Sequence, residues 1–176
     1  RGPPQSIDEL VANEDVEGLI ELGAAYRVGS PHLERDLKKA VECFEAASHH
    51  GSAEAEYLVG IAFLNGLGVG KDLAEGAKRM RSSAQRGSLR AKIYVANLYE
   101  MGVHYAHDRD KADVWYRNVA RAAGIDADPA SDAYELAMAE LGCVRFCLQL
   151  VSNESLPTKD RAVHLKKAKA MGYGHR

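Results

Sequence analysis

Three cysteines, five prolines and one tryptophan are spread over 176 residues. Three thiols cannot build a disulfide framework. So few prolines leave long stretches free to be helical. No apolar run approaches the ~18 residues that a membrane-spanning helix needs. Neither sign of charge dominates: 23 Lys and Arg face 25 Asp and Glu, for a net charge of −2 and a pI near 6.4. That balance argues against nonspecific nucleic-acid binding and against a polybasic membrane patch. No serine, histidine and acid stand in a nucleophile-elbow context, so an enzyme is not expected. What is present is 46% hydrophobic and 27% charged residues, the composition of a folded chain. The 27 alanines, the best helix formers, lean it towards an all-α fold.

Internal repetition is the strongest signal. A small residue followed by an aromatic recurs at Gly23/Tyr26, Gly60/Phe63 and Ala96/Tyr99, at intervals of 37 and 36 residues. Asp36, Asp72 and Asp108 are each 36 apart, and Ala40, Ala77, Ala112 and Gly51, Gly87, Gly124 keep step. Each unit reads as two helices. In the second, Ala55, Leu58, Val59, Ala62 and Phe63 form one stripe over 53–65. Glycines at 66, 68 and 70 break the helix, Asp72 caps the next, and Gly87 ends it. Gly23, Gly60 and Ala96 fall where two helices cross closely. The expected layout is a linker at 1–5, a capping helix within 6–14 and repeats at 15–51, 52–87 and 88–124. A degenerate fourth repeat with a cap follows at 125–176. Ser6-Ile7-Asp8-Glu9 matches a capping box. A single long helix is expected over 133–150, and a last helix from Lys159 to Met171 capped by Thr158. Arg1-Gly2-Pro3-Pro4 in place of a starting Met reads as the end of a linker in a longer or processed chain.

The succession Leu-Gly-x-x-Tyr, Gly-containing turn, Asp-x-x-Lys-Ala and Ala-x-x-Gly resembles the Sel-1-like repeat, a relative of the tetratricopeptide repeat. Leu22-Gly23, Tyr26, Asp36, Lys39-Ala40 and Gly51 carry it first. Val59-Gly60, Phe63, Gly66-Leu67-Gly68-Val69, Asp72 and Gly87 follow, then Tyr99, Gly102-Val103, Asp108, Lys111-Ala112 and Gly124. The resemblance implies a right-handed superhelix of helix pairs whose first helices line a concave, protein-binding face. It names Glu17, Ile20, Ala24 and Arg27 as outward, then Glu54, Tyr57, Ile61 and Leu64, then Arg90, Ile93, Asn97 and Glu100. Ser131, Tyr134, Met138 and Leu141 would follow in the fourth unit. Arg27, Tyr57, Ile61, Leu64, Ile93, Asn97 and Glu100 are the candidate partner-binding residues. Their apolar members either form a docking patch or are covered by flanking helices such as the one at 133–150.

Other constellations read as structural. Gly66-x-Gly68-x-Gly70 lacks the Lys-Ser/Thr and the preceding strand of a phosphate loop. His104-x-x-His107-Asp108 offers metal-compatible types, yet Asp108 stands in a cap position. Asp126, Asp128 and Asp132 lack the glycine and distal glutamate of a calcium loop. Cys43, Cys143 and Cys147 read as small buried hydrophobes. The absence of the recurring cysteine pairs of some bacterial relatives favours a reducing compartment. No cofactor and no metal are expected. The function expected is a non-catalytic scaffold that binds a protein or peptide, with no nucleic acid and no direct membrane insertion. The alternative is a self-association domain forming a homodimer.

Overall fold

Capping dictates the element order. In the computed structural model, which describes residues 5–174, Ser6 and Glu9 close a reciprocal capping box on α1 (Ile7–Ala12). Asp15 caps α2 (Val16–Val28), Asp36 caps α3 (Leu37–His49) and Ser52 caps α4 (Ala53–Asn65). Asp72 caps α5 (Leu73–Gln85). After α6 (Leu89–Met101), Asp108 caps α7 (Arg109–Ala122) and Ser131 caps α8 (Asp132–Glu140). Each of these side chains accepts the amide three residues on, which would otherwise be unpaired at a helix start. α9 (Val144–Ser152) and α10 (Thr158–Ala170) complete ten helices among the described residues, which hold one isolated bridge, Ser30 with Leu33, and no strand. The linker expected over 1–5 falls mostly on residues 1–4, outside those described.

The chain divides into unit 1, residues 1–88, and unit 2, residues 89–176. In unit 1, α2 pairs with α3, α4 pairs with α5, and α3 also packs on α4. Leu10, Leu19, Ala47 and Ala55 form one buried cluster, and Ala40, Phe44 and Val59 another. The aromatic–aspartate spacing of the repeat has a backbone cause. The cap amides of Asp36 and Asp72 donate to the carbonyls of Tyr26 and Phe63, both at 2.9 Å, closing each interhelical turn. Asp108 closes the turn of unit 2 on Tyr99 at 3.2 Å. Lysines three residues after the caps then reach the aromatic rings: Lys39 lies 5.5 Å from the Tyr26 centroid and Lys111 5.7 Å from that of Tyr99. Where the second repeat has Glu75 at that station, Arg79 takes over, 5.9 Å from the Phe63 centroid.

The fourth repeat differs from expectation. The helix expected over 133–150 is two helices, α8 and α9, broken at Gly142, whose φ of +88° suits glycine alone. α9 packs on α8, on α10 and on α6, so α9 with α10 forms the helix pair and α8 is an added helix. Thr158 begins α10 rather than capping it; Pro157 holds the cap position, with no side-chain hydrogen bond.

Candidate functional site

Unit 1 contains three of the seven expected contact residues on a surface. Arg27 is exposed at the end of α2, and Tyr57 and Ile61 are half-buried one turn apart on α4. Arg27 and Ile61 line one shallow cleft together with Phe44, Leu58 and Leu67, with a volume of about 30 Å³. That is room for a methyl-sized group, far below the 300–1,000 Å³ typical of small-molecule pockets. Leu64 does not point outward. It is 6% exposed, and its side chain fills the space over Gly76, where an added Cβ would come within 2.6 Å of Leu64 Cγ.

Unit 1 also holds a charge network that the sequence did not announce. Arg79 donates to Glu75 Oε1 at 2.7 Å, to both carboxylate oxygens of Glu45 at 3.1 and 3.2 Å, and to Glu56 at 3.3 Å. Glu56 is 3% exposed and also accepts from the Ser48 hydroxyl. Burial pushes the Glu56 carboxyl up, but hydrogen bonds from Ser48 and Ser82 and the charges of Arg79 and Arg86 outweigh it, leaving the pKa below its ordinary 4.5. Arg86 donates to the Ser48 carbonyl at 2.9 Å and ties the same corner. Paired and hydrogen-bonded on every side, these charges are structural.

In unit 2 the outward expectation fails for Ile93 and Asn97. α6 packs against both α7 and α9, and Ile93 is 8% and Asn97 3% exposed. Asn97 Nδ2 donates to the Gly142 carbonyl at 2.9 Å, while its Oδ1 accepts from the Val144 amide at 3.0 Å and the Tyr116 hydroxyl at 3.1 Å. It therefore holds the α8–α9 turn. Tyr134 and Met138, also named as outward, are buried, and Ser131 is the α8 cap. Burial raises the Tyr116 phenol, and the nearby Glu100 adds to this. Glu100 stays at the surface but is engaged: Arg145, on α9, donates to it at 2.7 Å and also pairs with Asp113. Two clefts open on either side of Glu100 and Leu148. One, about 390 Å³, is walled by Met101, Val103, Val144 and Tyr173. The other, about 560 Å³, is polar and carries Arg109, Glu135, Arg145 and Asn153. Sequence reasoning missed Arg145 and the Tyr173 wall, because the turn that places α9 against α6 was not foreseen.

The remaining constellations have structural duties. Asp108 caps α7 and accepts the Lys111 amide, with His104 and His107 exposed beside it. Cys43, Cys143 and Cys147 are fully buried. Burial pushes Cys43 up to about 11 and Cys143 to about 12, and also raises Cys147, so the thiolate needed for reaction is scarce.

Helix pairs of uniform period with this cap-and-aromatic closure define an all-α repeat protein. Residues 16–52 and 53–88 each match the Sel1 repeat model. It is similar, at 34% identity over 71 residues, to the rat (Rattus norvegicus) DAP3-binding cell death enhancer 1. That stretch is 40% of this chain and spans only 14% of the rat protein's length. Among solved structures it resembles a Sel1 repeat protein from Oxalobacter formigenes, with a TM-score of 0.59 and 23% identity over 76% of this chain and 95% of that one. It also resembles c5321, a protective antigen of uropathogenic Escherichia coli displaying an SLR fold, with a TM-score of 0.61 and 20% identity. That match covers 94% of this chain and 41% of c5321. Sel1 repeats are typically protein-interaction scaffolds without catalysis. No helix among the described residues is long and apolar enough to cross a membrane.

Proposed function

We propose that the chain is a non-catalytic module that binds a protein or peptide on the first-helix surface of its repeats. In unit 1 the contact residues are Arg27, Tyr57 and Ile61; in unit 2 it is the apolar cleft beside Glu100. The observation that carries this reading is the character of the two places. The unit 1 cleft is apolar, shallow and fit for one small side chain, with Arg27 at its rim to meet a carboxylate or backbone carbonyl. The unit 2 cleft is walled by Met101, Val144, Leu148 and Tyr173, and its one acid, Glu100, is already held by Arg145. Neither place presents a nucleophile or an unpaired general base to a substrate.

Selection from a displayed peptide library tests this. Binders isolated on the wild-type chain are expected to lose capture by the double variant Tyr57→Ala, Ile61→Ala, with helicity unchanged, since neither side chain is fully buried. Anchors of this kind typically cost ~2 kcal/mol or more when truncated. Capture that survives this double variant, but disappears on changing the exposed Lys78 and Arg81 of α5, places the binding face on the second helices and overturns the assignment.

A further inference from the structure

The net charge of −2 conceals two helix faces of opposite sign. Between Gln5 and Tyr26 there are six acidic residues and no Lys or Arg. Asp15 is used as a cap and Glu9 in the capping box. Glu17 and Glu21 are not used: with Ala25 and Val28 they form the exposed stripe of α2, and no described residue pairs with either. Val28 is 73% exposed. α10 is the converse. Lys159, Val163, Lys166 and Ala170 follow one another at helical spacing, all exposed, with Lys169 alongside. His164 and Ala168 are the buried residues on the opposite side of this helix. No described residue covers or pairs with the three lysines, and Val163 is 54% exposed.

Like charges on one helix stripe repel, and no described residue of opposite sign pairs with Glu17, Glu21, Lys159 or Lys166. Each stripe also carries an exposed valine and alanine, after the two glutamates on α2 and interleaved with the lysines on α10, so apolar surface adjoins charge on both. The two are complementary in sign and alike in length. We propose that the outer face of α10 docks on the outer face of α2 of a second copy of this chain. Lys159 and Lys166 then meet Glu17 and Glu21, and the exposed valines and alanines of the two helices pack beside them. Such a contact uses different surfaces on the two partners, so it joins copies either into a closed ring or into an open series. Association therefore rises with concentration, beginning at the dimer. This is independent of how the clefts are used.

Sedimentation of the full chain at low salt tests the proposal. The wild type is expected to give a weight-average mass that rises with concentration from the 19.2 kDa monomer towards at least twice that value. It returns to monomer near 1 M salt, where the screening length is ~3 Å. The variants Lys159→Glu, Lys166→Glu and Glu17→Lys, Glu21→Lys are each expected to weaken association at least ~10-fold while keeping wild-type helicity. An equimolar mixture of the two associates again, because the reversed α10 of one meets the reversed α2 of the other and their unaltered faces also match. A wild type that stays monomeric at low salt overturns the proposal. So does a charge-reversed variant that assembles normally, or a mixture that fails to recover. A monomeric chain that instead sediments with phosphatidylserine vesicles through Lys159 and Lys166 overturns it in favour of a lipid surface.

Discussion

Asn97 shows how one side chain sets a local fold. Its amide satisfies a carbonyl and an amide of the α8–α9 turn and a hydroxyl of α7. Asn97→Ala strands all three in a buried place, and each unsatisfied group costs ~1–3 kcal/mol. Equilibrium urea unfolding followed at unit 2 should show a clear fall in midpoint; an unchanged midpoint would show the turn is held by other means. Glu56 makes a prediction about acid. Its folded pKa lies below the ordinary 4.5, so its contribution is complete above that value and is lost as pH falls through the lower folded one. Stability of the wild type should decline on acidification below about 4.5 more steeply than that of Glu56→Gln. Parallel curves for the two proteins would assign acid sensitivity to other carboxylates.

At the scale of the helix, α2 to α7 were legible because each signal acts locally. A cap side chain, an apolar stripe and a closing glycine lie within one helix length. The break between α8 and α9 was legible too, yet hidden. Ala139 and Gly142 repeat the spacing of Ala84 and Gly87, but apolar residues from Leu136 to Leu148 continue across the gap and read as one helix. The outward positions fared worse, since exposure depends on partners distant in sequence. Asn97 receives a turn 45 residues away, and Leu64 is drawn inward only because Gly76 lacks a side chain. Crossing geometry gives a sharper test of α4 and α5. A Cβ on Gly60 would lie 3.1 Å from Met80 Cε and 3.3 Å from the Met80 amide nitrogen, with Met80 fully buried. Gly60→Leu therefore overpacks the crossing and should lower stability by ~1–3 kcal/mol or more. A thermal midpoint equal to the wild type would refute the close-crossing account.

At the scale of the molecule, each unit holds its own core. Leu19, Phe44, Val59 and Met80 are buried in unit 1; Tyr116, Met138, Val144 and Cys147 in unit 2. Repeat arrays draw their stability from neighbouring helices, so residues 1–88 alone are expected to fold to a helical state that melts cooperatively. A non-cooperative circular-dichroism melt of that fragment would contradict this. The buried thiols give the same division a clock. Unit 1 contains one cysteine, Cys43, and unit 2 contains two, Cys143 and Cys147. None can be alkylated quickly until its surroundings open, so a short pulse of alkylating reagent followed by intact-mass spectrometry counts openings by place. A gain of one adduct records unit 1 opening alone, two adducts unit 2, and three the whole chain, all without altering a single residue.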